Sequence, residues 1–142
     1  MIFRGNGTIV HTEKPPEKVS RPKPYRNTEF SIWEGTWDHT VENKEGYIEE
    51  IKITNTNPLR FSFHLHSMLG QNIGDIEGIA YYTSNDTAVF DDRVEDPTNW
   101  GEGCRLEFVM GNDGVLAIEA SDECTVYGGL NVSFGGNYTK KN

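Results

Sequence analysis

From residue 29 onward, aromatic and β-branched residues alternate with polar ones, and short turn signals recur about every ten residues. This spacing is typical of a β-sandwich or a β-barrel rather than of a helical or βαβ protein. The alternation is clearest in 59–69, where every second residue from Leu59 to Leu65 is apolar. Eight predicted strands follow the pattern: 29–40, 47–54, 59–69, 73–83, 87–92, 104–110, 115–120 and 130–140.

The connections between the predicted strands indicate how the strands pair. All but one of them are short, so strands that are neighbours in the chain should pair in order. A flat sheet of eight strands would leave two unpaired edges, and closure into a barrel removes both. The sequence therefore predicts an all-β, eight-stranded, antiparallel up-and-down barrel, with a two-sheet sandwich as the alternative.

The charge divides the 142 residues into two parts. Residues 1–26 hold six Lys or Arg against two Glu, whereas the whole chain has a net charge of −9, which leaves −13 for the rest. Four prolines in the same segment fix the backbone and remove N–H donors. We therefore predict a basic, flexible segment over 1–28 and one barrel domain over 29–142. A body this acidic repels phosphate backbones, so nucleic-acid binding is not expected.

A G-x-W sequence, Gly35-Thr36-Trp37, opens the predicted barrel, and Tyr138 followed by lysines closes it. This arrangement resembles the calycin group, which includes lipocalins, avidins and fatty-acid-binding proteins. The resemblance implies that Gly35 bends the first strand and that Trp37 lies at the closed end of the barrel near the last strand. Lipocalins use an arginine for that packing, and this chain offers only lysines. A core Trp beside a bulge Gly is the alternative interpretation.

The second half, about 76–141, resembles small extracytoplasmic bacterial β-domains of the LprI type, a family that includes a lysozyme inhibitor. The shared pattern is two cysteines that flank a hairpin, followed by a terminal Gly-x-Tyr-x-Lys at Gly136. The resemblance implies a fold and a compartment more directly than a target.

Cys104 and Cys124 are the only two cysteines. With the hairpin turn at 111–114, Cys124 should lie a few residues beyond the position opposite Cys104, so a short loop can bring the two sulfurs together. We predict a disulfide and with it an oxidising compartment, so that the protein is secreted, periplasmic or displayed on the cell surface. Two reduced thiols in a cytoplasmic protein are the alternative.

His64 and His66 stand two residues apart on one strand and project from the same face. That spacing suits a metal if a third ligand, such as His39, lies nearby, although two solvated histidines are the simpler interpretation. The long acidic loop 93–103 lacks the residue order of a calcium loop and is interpreted as solvated.

The chain has no nucleophile elbow, metalloprotease motif or phosphate-binding loop. We therefore expect a protein that is not an enzyme and has no cofactor. The first hypothesis is an extracytoplasmic binding module, of inhibitor or immunity type, whose rim loop contacts another protein through Asp92, Arg93 and Trp100. Trp100 folded back over the barrel mouth is the alternative for that residue. A carrier of a small apolar ligand and a structural display domain are the other two hypotheses, and no membrane insertion is expected.

Overall fold

The computed structural model describes residues 23–39, 47–69, 71–95, 103–128 and 134–141. The eight strands form one closed antiparallel barrel, in which each strand pairs with the next and β1 pairs with β8. The predicted barrel is thus confirmed over the sandwich. The strands are β1 (Gly35–His39), β2 (Tyr47–Thr54), β3 (Arg60–Leu69), β4 (Asn72–Ser84), β5 (Thr87–Asp91), β6 (Arg105–Met110), β7 (Val115–Ala120) and β8 (Gly136–Lys140). The helical elements are α1 (Asp92–Glu95) and two 3-10 helices, Phe30–Trp33 and Asp122–Tyr127.

The first predicted strand began too early. Residues Phe30–Trp33 form a 3-10 helix, and β1 begins only at Gly35, whose φ of 139° is accessible mainly to glycine. The helix turns the chain across the barrel end, where Trp33 is completely buried. Burial of this ring overrides the strand preference of the aromatic sequence around it. The last predicted strand also began too early, since β8 starts at Gly136. Residues 129–133 lie outside the described residues.

Aromatic side chains fill the interior of the barrel. Adjacent rings lie 5.1 to 5.6 Å apart between centroids, mostly edge to face or tilted, which are favourable geometries for aromatic pairs. The rings in this cluster are Trp33, Phe61, Phe63, Tyr82, Phe90 and Phe108. All six side chains are at most 3% exposed. Close-packed side chains therefore occupy this part of the interior.

One buried carboxylate lies among these apolar side chains. Glu49 shares the inner face of β2 with Ile51 and Ile53, and it is 2% exposed. The Tyr138 hydroxyl donates a hydrogen bond to Glu49 and also lies 2.8 Å from the carbonyl of Phe134. This contact between β8 and β2 gives the buried acid a polar partner.

The segment before the barrel is attached to it. Asn27 is completely buried, its backbone N–H donates to the carbonyl of Pro58 at 2.6 Å, and its side-chain amide donates to the carbonyl of Asn85. The Tyr25 hydroxyl donates to the Asn85 side chain at 3.1 Å. Residues 23–28, which the sequence assigned to the flexible segment, therefore pack on the barrel end. Buried hydrogen bonds fix this segment on the barrel, although its prolines favour an extended chain.

Gly78 on β4 provides the space for a core ring. An added Cβ at this position would lie 2.4 Å from the Phe90 ring, which stacks edge to face on Phe63. We therefore expect Gly78→Ala to lower the free energy of unfolding by about 1–3 kcal/mol, since overpacking forces the ring to move. Urea denaturation of the variant and of the wild type measures the loss. An unchanged midpoint would contradict this packing.

The Cys104–Cys124 disulfide that the sequence predicted is present, with an S–S distance of 2.04 Å. It joins the start of β6 to the 3-10 helix Asp122–Tyr127, and both cysteines are buried. Disulfides persist in compartments that are not reducing. Among the described residues, no helix has the length and apolar character needed to cross a membrane.

Candidate functional site

The residues predicted to close the barrel lie together. The Trp37 indole N–H donates to the carbonyl of Trp33 at 3.0 Å, which ties β1 to the preceding 3-10 helix. The ammonium group of Lys140 lies 5.5 Å from the centre of the Trp37 ring and donates to the carbonyl of Ile32. An added Cβ on Gly35 would collide with the Lys140 side chain. A lysine therefore packs on the Trp of the G-x-W sequence. Tyr138, two residues before Lys140 in the middle of β8, is buried against the ring of His39.

The residues predicted to contact a partner have roles in the fold. The Arg93 guanidinium forms two hydrogen bonds to the carboxylate of Asp91, at 3.0 and 3.1 Å. Although burial opposes it, this pairing lowers the pKa of Asp91 below its usual value. Asp92 accepts a hydrogen bond from the Tyr127 hydroxyl at 2.9 Å. Trp100 lies outside the described residues, so the predicted rim contact stays a prediction.

The side chains of His64 and His66 contact the carboxylate of Asp75 and not His39. Nε2 of His64 and Nδ1 of His66 lie 2.7 and 2.8 Å from the same oxygen of Asp75 on β4. His39 contacts the Asn137 carbonyl elsewhere on the barrel, so it is not the third member of this cluster.

A groove of about 790 Å³ lies at the barrel end that the 3-10 helix Phe30–Trp33 covers. The bound N-terminal segment forms one wall, the turn before β3 forms another, and the end of β4 completes the lining. We call it the closed-end groove and define it by residues 23–26, 57–60, 81 and 82. Its lining is largely apolar or aromatic, with Tyr25, Pro58, Leu59 and Tyr81, and Leu59 remains 46% exposed. Ligand sites of small molecules and short peptide segments have volumes of this order.

Three cationic side chains surround the closed-end groove, from Lys23, Arg26 and Arg60. Each is exposed, and none forms an ion pair with a carboxylate in the part of the chain that the structure describes. Aromatic and aliphatic contact surface with a few charges at its edge is a composition suited to binding a ligand that is both apolar and anionic.

Tyr82, at the edge of the closed-end groove, carries a buried hydroxyl. Tyr82 is completely buried, and its hydroxyl has no hydrogen-bond partner among the described residues. Burial, with a contribution from the negative charge of Glu34, raises the pKa of Tyr82 above its usual value. The phenol therefore keeps its proton and is a donor. Its ring packs against Trp33 and Phe61 in the barrel interior, so the hydroxyl is covered by the core and not open to the groove.

Sequence reasoning missed the closed-end groove because its first wall lies in the segment assigned to a flexible linker. One signal was present: Tyr25 is an aromatic residue between Pro24 and Arg26, and aromatic side chains are uncommon in solvated linkers.

The fold places the chain among closed, antiparallel, eight-stranded β-barrels. No family model, curated protein or solved structure matches the chain.

Proposed function

We propose that this protein is a non-enzymatic binding module that recognises a short acidic segment of another protein in the closed-end groove. One observation carries the proposal: the groove combines a largely apolar lining with three cations, Lys23, Arg26 and Arg60, none of which pairs with a carboxylate among the described residues. The carboxylates of an acidic segment would pair with Arg26 and Arg60, and its apolar side chains would cover Leu59.

The packed interior favours a surface site over an internal ligand. The aromatic rings of β3, β4 and β6 contact one another across the barrel, so a carrier would have to displace them. The closed-end groove borders this cluster only at Tyr82 and is open to solvent, which suits an extended peptide better than a molecule that must be enclosed.

The acidity of the whole chain does not prevent binding of an anionic segment. At physiological ionic strength, charges farther than about 8 Å from one another are largely screened. The local cations of the groove therefore act more strongly on a bound carboxylate than the distant surface acids do. Repulsion from the acidic body slows encounter instead, and it disfavours long polyanions such as nucleic acids.

The compartment is part of the same proposal. The disulfide supports a secreted, periplasmic or surface location. The packing of Lys140 on Trp37 corresponds in this proposal to the calycin-type resemblance and the cysteine pair to the LprI-type resemblance, for which inhibition of another protein is one form of binding. In this proposal the groove, rather than the loop that holds Trp100, makes the main contact.

A fluorescein-labelled pentapeptide, DEFED, tests the proposal by fluorescence anisotropy. We expect it to bind more tightly than the lysine counterpart KKFKK, with an affinity that falls as salt rises. Arg60→Gln should weaken binding about fivefold, because a unit charge pair at 4 Å in water is worth about 1 kcal/mol. Arg105→Gln, which removes the same charge at the opposite barrel end, is the matched control and should have no effect.

Leu59→Ala separates the site from the fold. Because Leu59 is 46% exposed, its truncation should change the free energy of unfolding little, yet it should weaken binding of DEFED, whose phenylalanine would cover this side chain. Equal binding of both peptides, or equal losses from Arg60→Gln and Arg105→Gln, would contradict the groove as the site.

A further inference from the structure

The outer face of β3 and β4 holds a second cluster that is independent of the closed-end groove. His64, His66 and Asp75 each direct one ligand-type atom to a common point, and these three atoms all lie within 4.8 Å of one another. We propose that this cluster is a binding site for a divalent transition-metal ion such as Zn²⁺, held by two imidazole nitrogens and one carboxylate oxygen.

The backbone fixes this arrangement. Two residues apart on one strand, His64 and His66 project from the same face. Asp75 is the direct register partner of His66 on β4, and its side chain lies between the two rings. The hydrogen bonds between β3 and β4 hold the backbone of the three ligand residues in place. Only side-chain rotations are then needed to adjust the site to an ion.

The distances between the three ligand atoms define the adjustment that binding of an ion requires. Each ring nitrogen now lies 2.7 or 2.8 Å from the Asp75 oxygen, which is a hydrogen-bond distance. Ligands about 2.1 Å from one tetrahedral ion stand about 3.4 Å apart, so each nitrogen–oxygen distance must open by about 0.6 Å. The two ring nitrogens, which lie within 4.8 Å of each other, must reach the same separation. The ion would replace the ring protons that now face the carboxylate.

The charged side chains around the cluster offset one another. Glu77 on β4 lies directly opposite His64, and Glu50 on β2 lies opposite His66. Lys52 on β2 is the register partner of His64, and its positive charge counters the negative charges of the two acids. The Lys141 ammonium pairs with the Glu50 carboxylate at 3.0 Å. Imidazole nitrogen with one carboxylate is a donor set suited to Zn²⁺, Cu²⁺ or Ni²⁺ rather than to Ca²⁺ or Mg²⁺. Three protein ligands leave one position open to water or to a group from a partner.

Isothermal titration of the full chain with ZnCl₂ tests this site. We expect one ion bound per chain, and His66→Gln or Asp75→Asn should each weaken binding at least about tenfold, because loss even of a ligand's supporting partner costs about 10–100-fold. His39→Gln is the matched control: it removes a histidine outside the cluster and should keep the wild-type affinity. Calcium chloride in place of zinc chloride should give no binding at this site.

A second measurement needs no variant and therefore does not depend on the folding of one. Sub-stoichiometric Cu²⁺ should broaden the amide resonances of His64, His66 and Asp75 before any others in the wild-type protein. Absence of binding by the wild type, unchanged affinity in both His66→Gln and Asp75→Asn, or broadening centred elsewhere would each overturn the proposal. Loss of Zn²⁺ binding in His39→Gln would overturn the ligand set.

Discussion

Replacing Trp37 with alanine is expected to lower the free energy of unfolding by about 3–5 kcal/mol, the range for large buried aromatic residues. The Trp37 side chain is 2% exposed. Its indole donates to the Trp33 carbonyl, and Lys140 lies over its ring. The substitution therefore removes a core ring, a hydrogen bond and a cation–π contact together. Urea denaturation followed by far-UV circular dichroism measures the loss without relying on tryptophan fluorescence.

Two further variants separate the contributions of Trp37. Trp37→Phe keeps an aromatic ring but loses the N–H donor, so its loss should be smaller than that of Trp37→Ala. Ile73→Ala, at a position 52% exposed, should change the free energy of unfolding by less than about 0.5 kcal/mol. A loss below about 1 kcal/mol for Trp37→Ala would show that the G-x-W sequence does not close the barrel.

The barrel was predictable because apolar and polar residues alternate along its strands, and this alternation is visible in the sequence. A strand with one face in the core must alternate, and β3 does so from Phe61 to Leu65. The 3-10 helix Phe30–Trp33 was not predictable in the same way. Its aromatic residues have strand propensity, and only the fit of Trp33 against Phe61 and Tyr82 across the barrel end decides the local structure.

The candidate sites depend on contacts that no local pattern displays. The wall of the closed-end groove exists because Asn27 bonds to Pro58 and Asn85, which lie far along the chain. Asp75 completes the histidine cluster only through the register of the β3–β4 hairpin. The sequence pattern predicted a turn that ends at residue 72. In the structure Asn72 instead pairs with Leu69, and this register places Asp75 opposite His66.

Reduction of the Cys104–Cys124 disulfide is expected to lower the free energy of unfolding by about 3 kcal/mol, because the bond closes a loop with a sequence separation of 20. The reduced unfolded chain is less constrained and exposes more surface, so the dependence of stability on urea should become steeper. Urea titrations of the wild type with and without dithiothreitol measure both quantities. Reduction is a cleaner test than replacing both cysteines, whose buried sulfurs pack in the core.

Alkylation first establishes that the bond is present in the purified protein. Iodoacetamide should leave the mass of the native, unreduced chain unchanged and should add two adducts after reduction. The bond lies at the start of β6, and Met110 at the other end of that strand bonds to Asp86 beside the closed-end groove. Reduction under conditions where the barrel stays folded should therefore leave binding of DEFED intact. Two reactive thiols in the unreduced protein would contradict both the bond and the compartment it supports.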